Sequence, residues 1–144
     1  MDYQILNLLF RCNKTFSHEK IRRQELSDTE CMLCSYIYSH ENCSQDDVSA
    51  ALKTDKTTVG KALASLENKA CVVRTQDGSD KRIKRLSLTD IGREKIAKLL
   101  DIHNSWLRDI MTCLSSEEQK QFENYCERLL AAAEKLTDNG GNDQ

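Results

Sequence analysis

Proline is absent from the 144-residue sequence, and glycine occurs five times, two of them adjacent in the closing "DNGGNDQ". With so few breakers, long uninterrupted helices are expected. Aromatic residues make up only 6% of the chain and no apolar run has the length of a bilayer span, so no membrane segment is expected. The opening "MDYQILNLLF" carries an acid at Asp2 and lacks the basic stretch of a secretion signal. It reads as the start of an amphipathic helix, which places the expected location in the cytoplasm. A glycine-rich phosphate loop and a nucleophile elbow are also missing, and His18, His40 and His103 lack the spacing of metal ligands. The expectation is therefore a protein that is not an enzyme and needs no cofactor or metal.

Charged residues make up 31% and hydrophobic residues 39% of the chain, the balance of a helix-rich protein with one ordinary core. Seven cysteines is an odd number, and without an export signal reduced thiols are the default. Cys31 and Cys34 form a C-x-x-C, but both fall inside a helix and no second such pair exists, so core packing is the reading rather than zinc or redox chemistry. Cys12, Cys113 and Cys126 lie in helices at the two ends of the chain and are the candidates for an oxidant sensor.

The net charge of -2 hides an uneven distribution. Between Lys53 and Arg85 nine basic residues face four acidic ones, a net of +5, which leaves -7 for the rest. A positive middle flanked by acidic ends suits contact with a polyanion.

Periodicity supplies the elements. Residues 3 to 21 place Ile5, Leu9, Cys12 and Phe16 at helical spacing, widened by Leu6 and Leu8. A second helix begins at Ser27, with Glu30 completing a capping box, and buries Leu33, Cys34 and Ile37; a third begins at Ser44 with Asp47 in the same role and runs through Val48 and Leu52. The fourth, "KTTVGKALASLENKA", is capped by Asp55 or Thr54 and carries Val59, Leu63, Leu66 and Ala70 as one stripe, while Thr57, Thr58, Gly60, Lys61, Ala64 and Ser65 make its other face small, polar or basic. Small residues let a helix backbone approach something closely, which fits the second member of a helix-turn-helix. Next, "CVVRT" reads as a strand, "QDGSDK" as a turn and "IKRLSLT" as a returning strand seated through Leu86 and Leu88. A helix-turn-helix followed at once by a basic-tipped hairpin is a winged helix.

At these residues the sequence resembles the MarR (multiple antibiotic resistance regulator) family of transcription regulators. "LSDTECMLCSYI" is similar to the family's second helix, "SQDDVSAAL" to its third, and "TTVGKALASLENKACVVR" to its recognition helix and first wing strand. "DKRIKRLSLTDIG" matches the wing signature of Asp, one residue, Arg, five residues, Leu-Thr and a Gly three positions on. The resemblance implies that Asp80 structures the wing by holding an arginine, that Arg82 enters a minor groove, and that Lys56, Thr57, Thr58 and Lys61 face the major groove. Lys84 and Arg85 extend the cationic wing. Two departures stand out: a short amino terminus, and Ala70 where the family has Gly to end the recognition helix in a left-handed turn.

Thr89 can cap the next helix, which carries Ile96, Leu99, Leu100, Leu107 and Ile110; Ser115 and Glu118 offer a capping box for the last, where Phe122, Cys126, Leu129, Ala133 and Leu136 form a seam. The fold expected is mainly α with a small β-hairpin wing: a winged helix-turn-helix lobe over 26–89, dimerisation helices over 1–22 and 90–136, and a disordered tail over 137–144. Such a protein would be a sequence-specific regulator of transcription, a homodimeric repressor on a pseudo-palindromic operator of double-stranded DNA. The resemblance also implies a small aromatic or phenolic effector bound between the dimer helices and the DNA-binding lobe. An oxidant-sensing regulator of the same fold, and a winged helix that docks on an acidic protein, are the alternatives.

Overall fold

A computed structural model describes residues 2–139. The chain divides after Asn104 into two compact units. The first holds α1 (Tyr3–Arg22), α2 (Asp28–Ser39), β1 (Cys43–Ser44), α3 (Gln45–Ala51), α4 (Lys56–Asn68), β2 (Val72–Gln76) and β3 (Lys84–Leu88). Helix α5 (Asp90–Met111) crosses the division, and α6 (Ser116–Asn139) belongs to the second unit. Helix α6 thus continues past Leu136 to Asn139, and the remainder of the tail expected over 137–144 lies outside the described residues. None of the described helices is long and apolar enough to cross a membrane.

The helices start where the local chemistry demands it. The Ser27 hydroxyl accepts from the Glu30 N–H (3.2 Å) while the Glu30 carboxylate accepts from the Ser27 N–H (2.8 Å). Ser44 and Asp47 repeat this exchange at 3.1 and 2.8 Å, and Ser115 and Glu118 at 3.3 and 2.8 Å. Each box satisfies two N–H groups that a helix start leaves without partners.

The sheet is antiparallel in the order β1-β3-β2, with Cys43 opposite Leu86 and Val72 opposite Leu88. The sequence reading anticipated the hairpin but not β1, whose two residues are too few to show alternation. One core lies in the first unit, built from Leu33, Cys34 and Ile37 of α2, Val48 of α3, Val59, Leu63 and Leu66 of α4, the sheet residues Val72, Leu86 and Leu88, and Ile96 and Leu99 of α5. Burial of side chains of this size, at ~1.5–3 kcal/mol each, is what holds the lobe together.

Ala70 is a correction to the sequence reading. It is exposed and stands outside α4 with φ +55°, so it is not the fourth member of the apolar stripe. Its N–H reaches Glu67 O and the Cys71 N–H reaches Leu66 O, both at 2.9 Å, which closes the helix by a left-handed turn even without glycine. Ser65 also departs from expectation: it is partly buried and hydrogen-bonds the Glu30 carboxylate rather than joining the outer face. Helix α5 then packs directly onto the chain just after this turn. A Cβ at Gly92 would lie 2.1 Å from Cys71 O, and the Thr89 hydroxyl caps the helix by accepting from Gly92 N–H (3.0 Å) while donating to Ala70 O (2.5 Å).

Candidate nucleic-acid interface

The turn of the wing is organised by a residue that sequence reasoning passed over. Asp77 Oδ1 accepts from Ser79 N–H (2.8 Å), Ser79 Oγ–H (2.7 Å) and Asp80 N–H (3.1 Å), and Oδ2 accepts from Arg85 Nε (2.7 Å). The Ser79 hydroxyl and N–H, then Arg85 and the Asp80 N–H, hold this carboxyl well below the usual carboxylate range. An "Asp-Gly-Ser-Asp" run was legible as a turn; that its first carboxylate also anchors an arginine eight residues on depends on strand pairing.

Asp80, the expected wing-structuring residue, holds Arg82 by a fork: Oδ1 accepts from Arg82 Nε (3.1 Å) and N–H (3.0 Å), and Oδ2 from Nη2 (3.0 Å). The arginine lowers the Asp80 pKa, and the Arg82 pKa is raised in return. The Arg82 side chain nevertheless stays 91% exposed, so its fork is oriented and open to solvent at once. Lys84 is exposed at the start of β3. Arg85 is placed differently, with its side chain 35% exposed, tied to Asp77, and Nη1 3.5 Å from Asn42 O. It braces the wing against the start of β1, and Ser87 Oγ adds a second tie at 3.1 Å to Asn42 Oδ1.

At the start of α4, Asp55 caps by accepting from Thr58 N–H (2.8 Å) and Thr58 Oγ–H (2.6 Å). Thr58 is therefore engaged in the cap, while Thr57, Lys61 and Ala64 are exposed and, spaced by four and three, share one side of the helix. Lys56 Nζ stands 2.9 Å from Asp46 of α3. Gln45 draws the two helices together: its Nε2 donates to Lys56 O (3.4 Å) and lies 3.4 Å from where a Gly60 Cβ would be, and its Oε1 accepts from Arg74 (3.4 Å). Gln45 and Asp46 also line a cleft of about 410 Å³ together with Arg82, Ile83, Lys84 and Arg85. The first turn of α3 and the cationic wing thus border the same cleft, and Lys56 at the start of α4 reaches that turn through Asp46.

The remaining candidates are simpler. Cys31 and Cys34 are buried, and burial pushes their thiols up to about 11 and about 12, as expected of core residues that are inert at neutral pH. Cys12, Cys113 and Cys126 are free and exposed. Among the described residues no three His, Cys, Asp or Glu side chains are grouped to hold a metal ion.

Comparison with known proteins points one way. The family profile described as MarR family matches residues 25–83. The chain is 30% identical over 135 residues to the HTH-type transcriptional regulator PapX of Escherichia coli, covering 90% of this chain and 82% of PapX. It is 25% identical over 125 residues to the transcriptional repressor MprA of E. coli K12, covering 85% and 71% respectively. Its fold is that of MepR from S. aureus, solved as a MepR–DNA complex: the TM-score is 0.76 at 24% identity, over 92% of this chain and 98% of that one.

Proposed function

Because the chain belongs to the MarR family, we propose that it is a sequence-specific double-stranded DNA-binding regulator of transcription, acting as a homodimeric repressor. The observation that carries this reading is that the wing residues Arg82 and Lys84 line one cleft with the first turn of α3, whose Asp46 pairs with Lys56 at the start of α4. In this reading Lys56, Thr57, Thr58 and Lys61 meet the major groove, where this end of α4 supplies base contacts and the Lys56 ammonium reaches a flanking phosphate. Arg82, pre-oriented by Asp80 yet exposed, reaches the neighbouring minor groove or backbone, and Lys84 adds a phosphate contact. Arg85 contributes by bracing the wing. MepR, whose fold this chain shares, is solved bound to DNA, and MprA is named a repressor.

The dimer is supported by what each unit leaves uncovered. In α1, Tyr3, Ile5, Leu8 and Phe10 are 59–76% exposed, and in α6 every side chain from 121 to 137 is exposed, Leu129 and Leu130 at 61% and Leu136 at 76%. Apolar side chains in such number call for a partner. An effector site is supported by a cavity of about 430 Å³ lined by Met32, Tyr36, His40, Leu52, Leu99 and His103, where the Tyr36 and His40 rings stack at 4.2 Å. A small aromatic ligand there would press on Leu52, the residue that ends α3 immediately before the turn into α4. It would act by binding DNA-competent and incompetent arrangements with different affinity.

Selection of duplexes from a random-sequence pool, followed by salt titration of the enriched duplex, tests the central reading. Affinity is expected to fall steeply with salt, and Arg82→Ala should flatten the log–log slope by about one. Wild-type protein that binds duplex no better than this variant would refute the wing assignment, and wild-type protein with no salt-dependent duplex binding would refute the reading itself.

A further inference from the structure

Three cations of this surface are paired with carboxylates. Arg82 and Arg85 have Asp80 and Asp77, carboxylates that also give the wing its shape. Lys56 has Asp46, a first-turn acid of α3 that completes no capping box and shapes no turn. Asp47 beside it completes the capping box, whereas the sole partner of Asp46 among the described residues is Lys56. Both side chains of the pair are largely exposed, 72% and 74%. Asp46 is nonetheless fixed in position, because the Ser44–Asp47 box sets the first turn of α3 and Gln45 ties that turn to Lys56 O. It also lines the cleft together with Arg82 and Lys84. A carboxylate at this point faces the path on which the proposed function puts phosphates.

We propose that Asp46 is an affinity-setting residue of the DNA interface, holding the Lys56 ammonium in the free protein so that a duplex must win it from an internal competitor. This rests on the DNA-binding reading above. An exposed ion pair is weak and screened by salt, so it does not block the surface. It subtracts from what Lys56 gains on meeting DNA, and the displaced carboxylate is left beside phosphates. Competition precedes any reading of bases, so it weakens binding to operator and to bulk DNA alike. Neutralising Asp46 frees one cation. With a salt slope of about 0.9 per phosphate contact, that is worth up to about eightfold in affinity at 0.1 M salt.

The test is a double-mutant cycle with Asp46→Asn, Lys56→Gln and the two combined. Each is titrated against the duplex enriched by wild type and against a random-sequence duplex, with the thermal midpoint checking that each variant is folded. Asp46→Asn should tighten binding to both duplexes by roughly two- to eightfold at 0.1 M salt and steepen the slope by up to about 0.9. Lys56→Gln should weaken binding and remove most of the Asp46→Asn gain. Unchanged or weaker binding by Asp46→Asn overturns the proposal, as does an equal gain without Lys56, since the carboxylate would then act on phosphates directly. Wild-type protein with no salt-dependent duplex binding overturns the DNA-binding reading itself, which separates the two failures.

Discussion

At Asp77 one side chain accepts four hydrogen bonds, three from the turn that follows it and one from Arg85 of the returning strand. Its carboxyl is depressed, chiefly by Ser79, so the order it confers is complete above the unfolded carboxylate value of about 3.9 and is lost only as pH falls through its lower folded value. The wing should therefore be insensitive to pH across the neutral range, a point that an NMR titration of the Asp77 carboxyl can check. Asp77→Ala should release Ser79, Asp80 and Arg85 together. Arg82 is oriented through Asp80, so duplex affinity should fall by roughly tenfold at 0.1 M salt, the equivalent of about one phosphate contact. Unaltered affinity would mean that the wing does not need this order to bind. Ala70 gives the opposite kind of prediction. A non-glycine residue in the left-handed region costs about 1–2 kcal/mol, against ~0.5–1 kcal/mol of extra chain entropy lost by glycine. Ala70→Gly should then stabilise the lobe by about 0.5–1 kcal/mol in urea unfolding, and a destabilised variant would show that Ala70 does not hold φ +55° in solution.

Among elements, what could be read from the sequence is what neighbours within four residues decide. The capping boxes at Ser27, Ser44 and Ser115 and the Asp55 cap were legible because cap and partner are three positions apart. The stripe of Val59, Leu63 and Leu66 was legible because burial follows the helical period. What escaped depends on distant chain: β1 exists only because Cys43 pairs with Leu86, Ser65 turned inward because Glu30 of α2 lies beside it, and Arg85 became a brace because Asp77 and Asn42 converge on it. The pairing of Asp46 with Lys56 was likewise invisible, ten positions apart and across a turn. One such long-range tie makes a sharp prediction. Glu30 is 5% exposed and lies 2.7 Å from Lys69, which joins α2 to the end of α4. Burial alone would raise the Glu30 pKa, but hydrogen bonds from Lys69, Ser65 and Ser27 outweigh it, so the net shift is downward. In the wild type this pair contributes stability above the ordinary glutamate range, lost as pH falls below it. Lys69→Ala removes two of the lowering influences and leaves burial opposed only by Ser65 and Ser27, so the Glu30 pKa should rise from its wild-type value and the loss of stability on acidification should shrink or reverse. The variant should be about 1–2 kcal/mol less stable at neutral pH, a discount for the one-third exposure of Lys69 included. A pH profile parallel to the wild type would contradict this account.

For the whole molecule the decisive feature is the contrast between its units. The first buries a contiguous core. In the second, none of the described residues is buried, although α6 repeats apolar side chains at Phe122, Leu129 and Leu136. A helix with that seam is marginal in water by itself, since helices owe most of their stability to packing. The partner that the proposed function supplies is a second copy, and a two-fold arrangement then matches a pseudo-palindromic operator half-site for half-site. Linking two recognition surfaces makes the second contact intramolecular, which can raise avidity by about 10²–10⁴ with no new contact to DNA. Leu129→Asp places a charge in the seam and leaves the sequence of the winged lobe unchanged. Sedimentation velocity should find wild type dimeric and the variant shifted toward monomer. Its affinity for the full operator should drop by roughly a hundredfold or more, while its affinity for a single half-site stays near the wild-type value. If the variant remains dimeric, the α6 seam is not the interface. If it becomes monomeric yet keeps full operator affinity, the lobes read DNA one at a time and two-fold symmetry has no part in recognition.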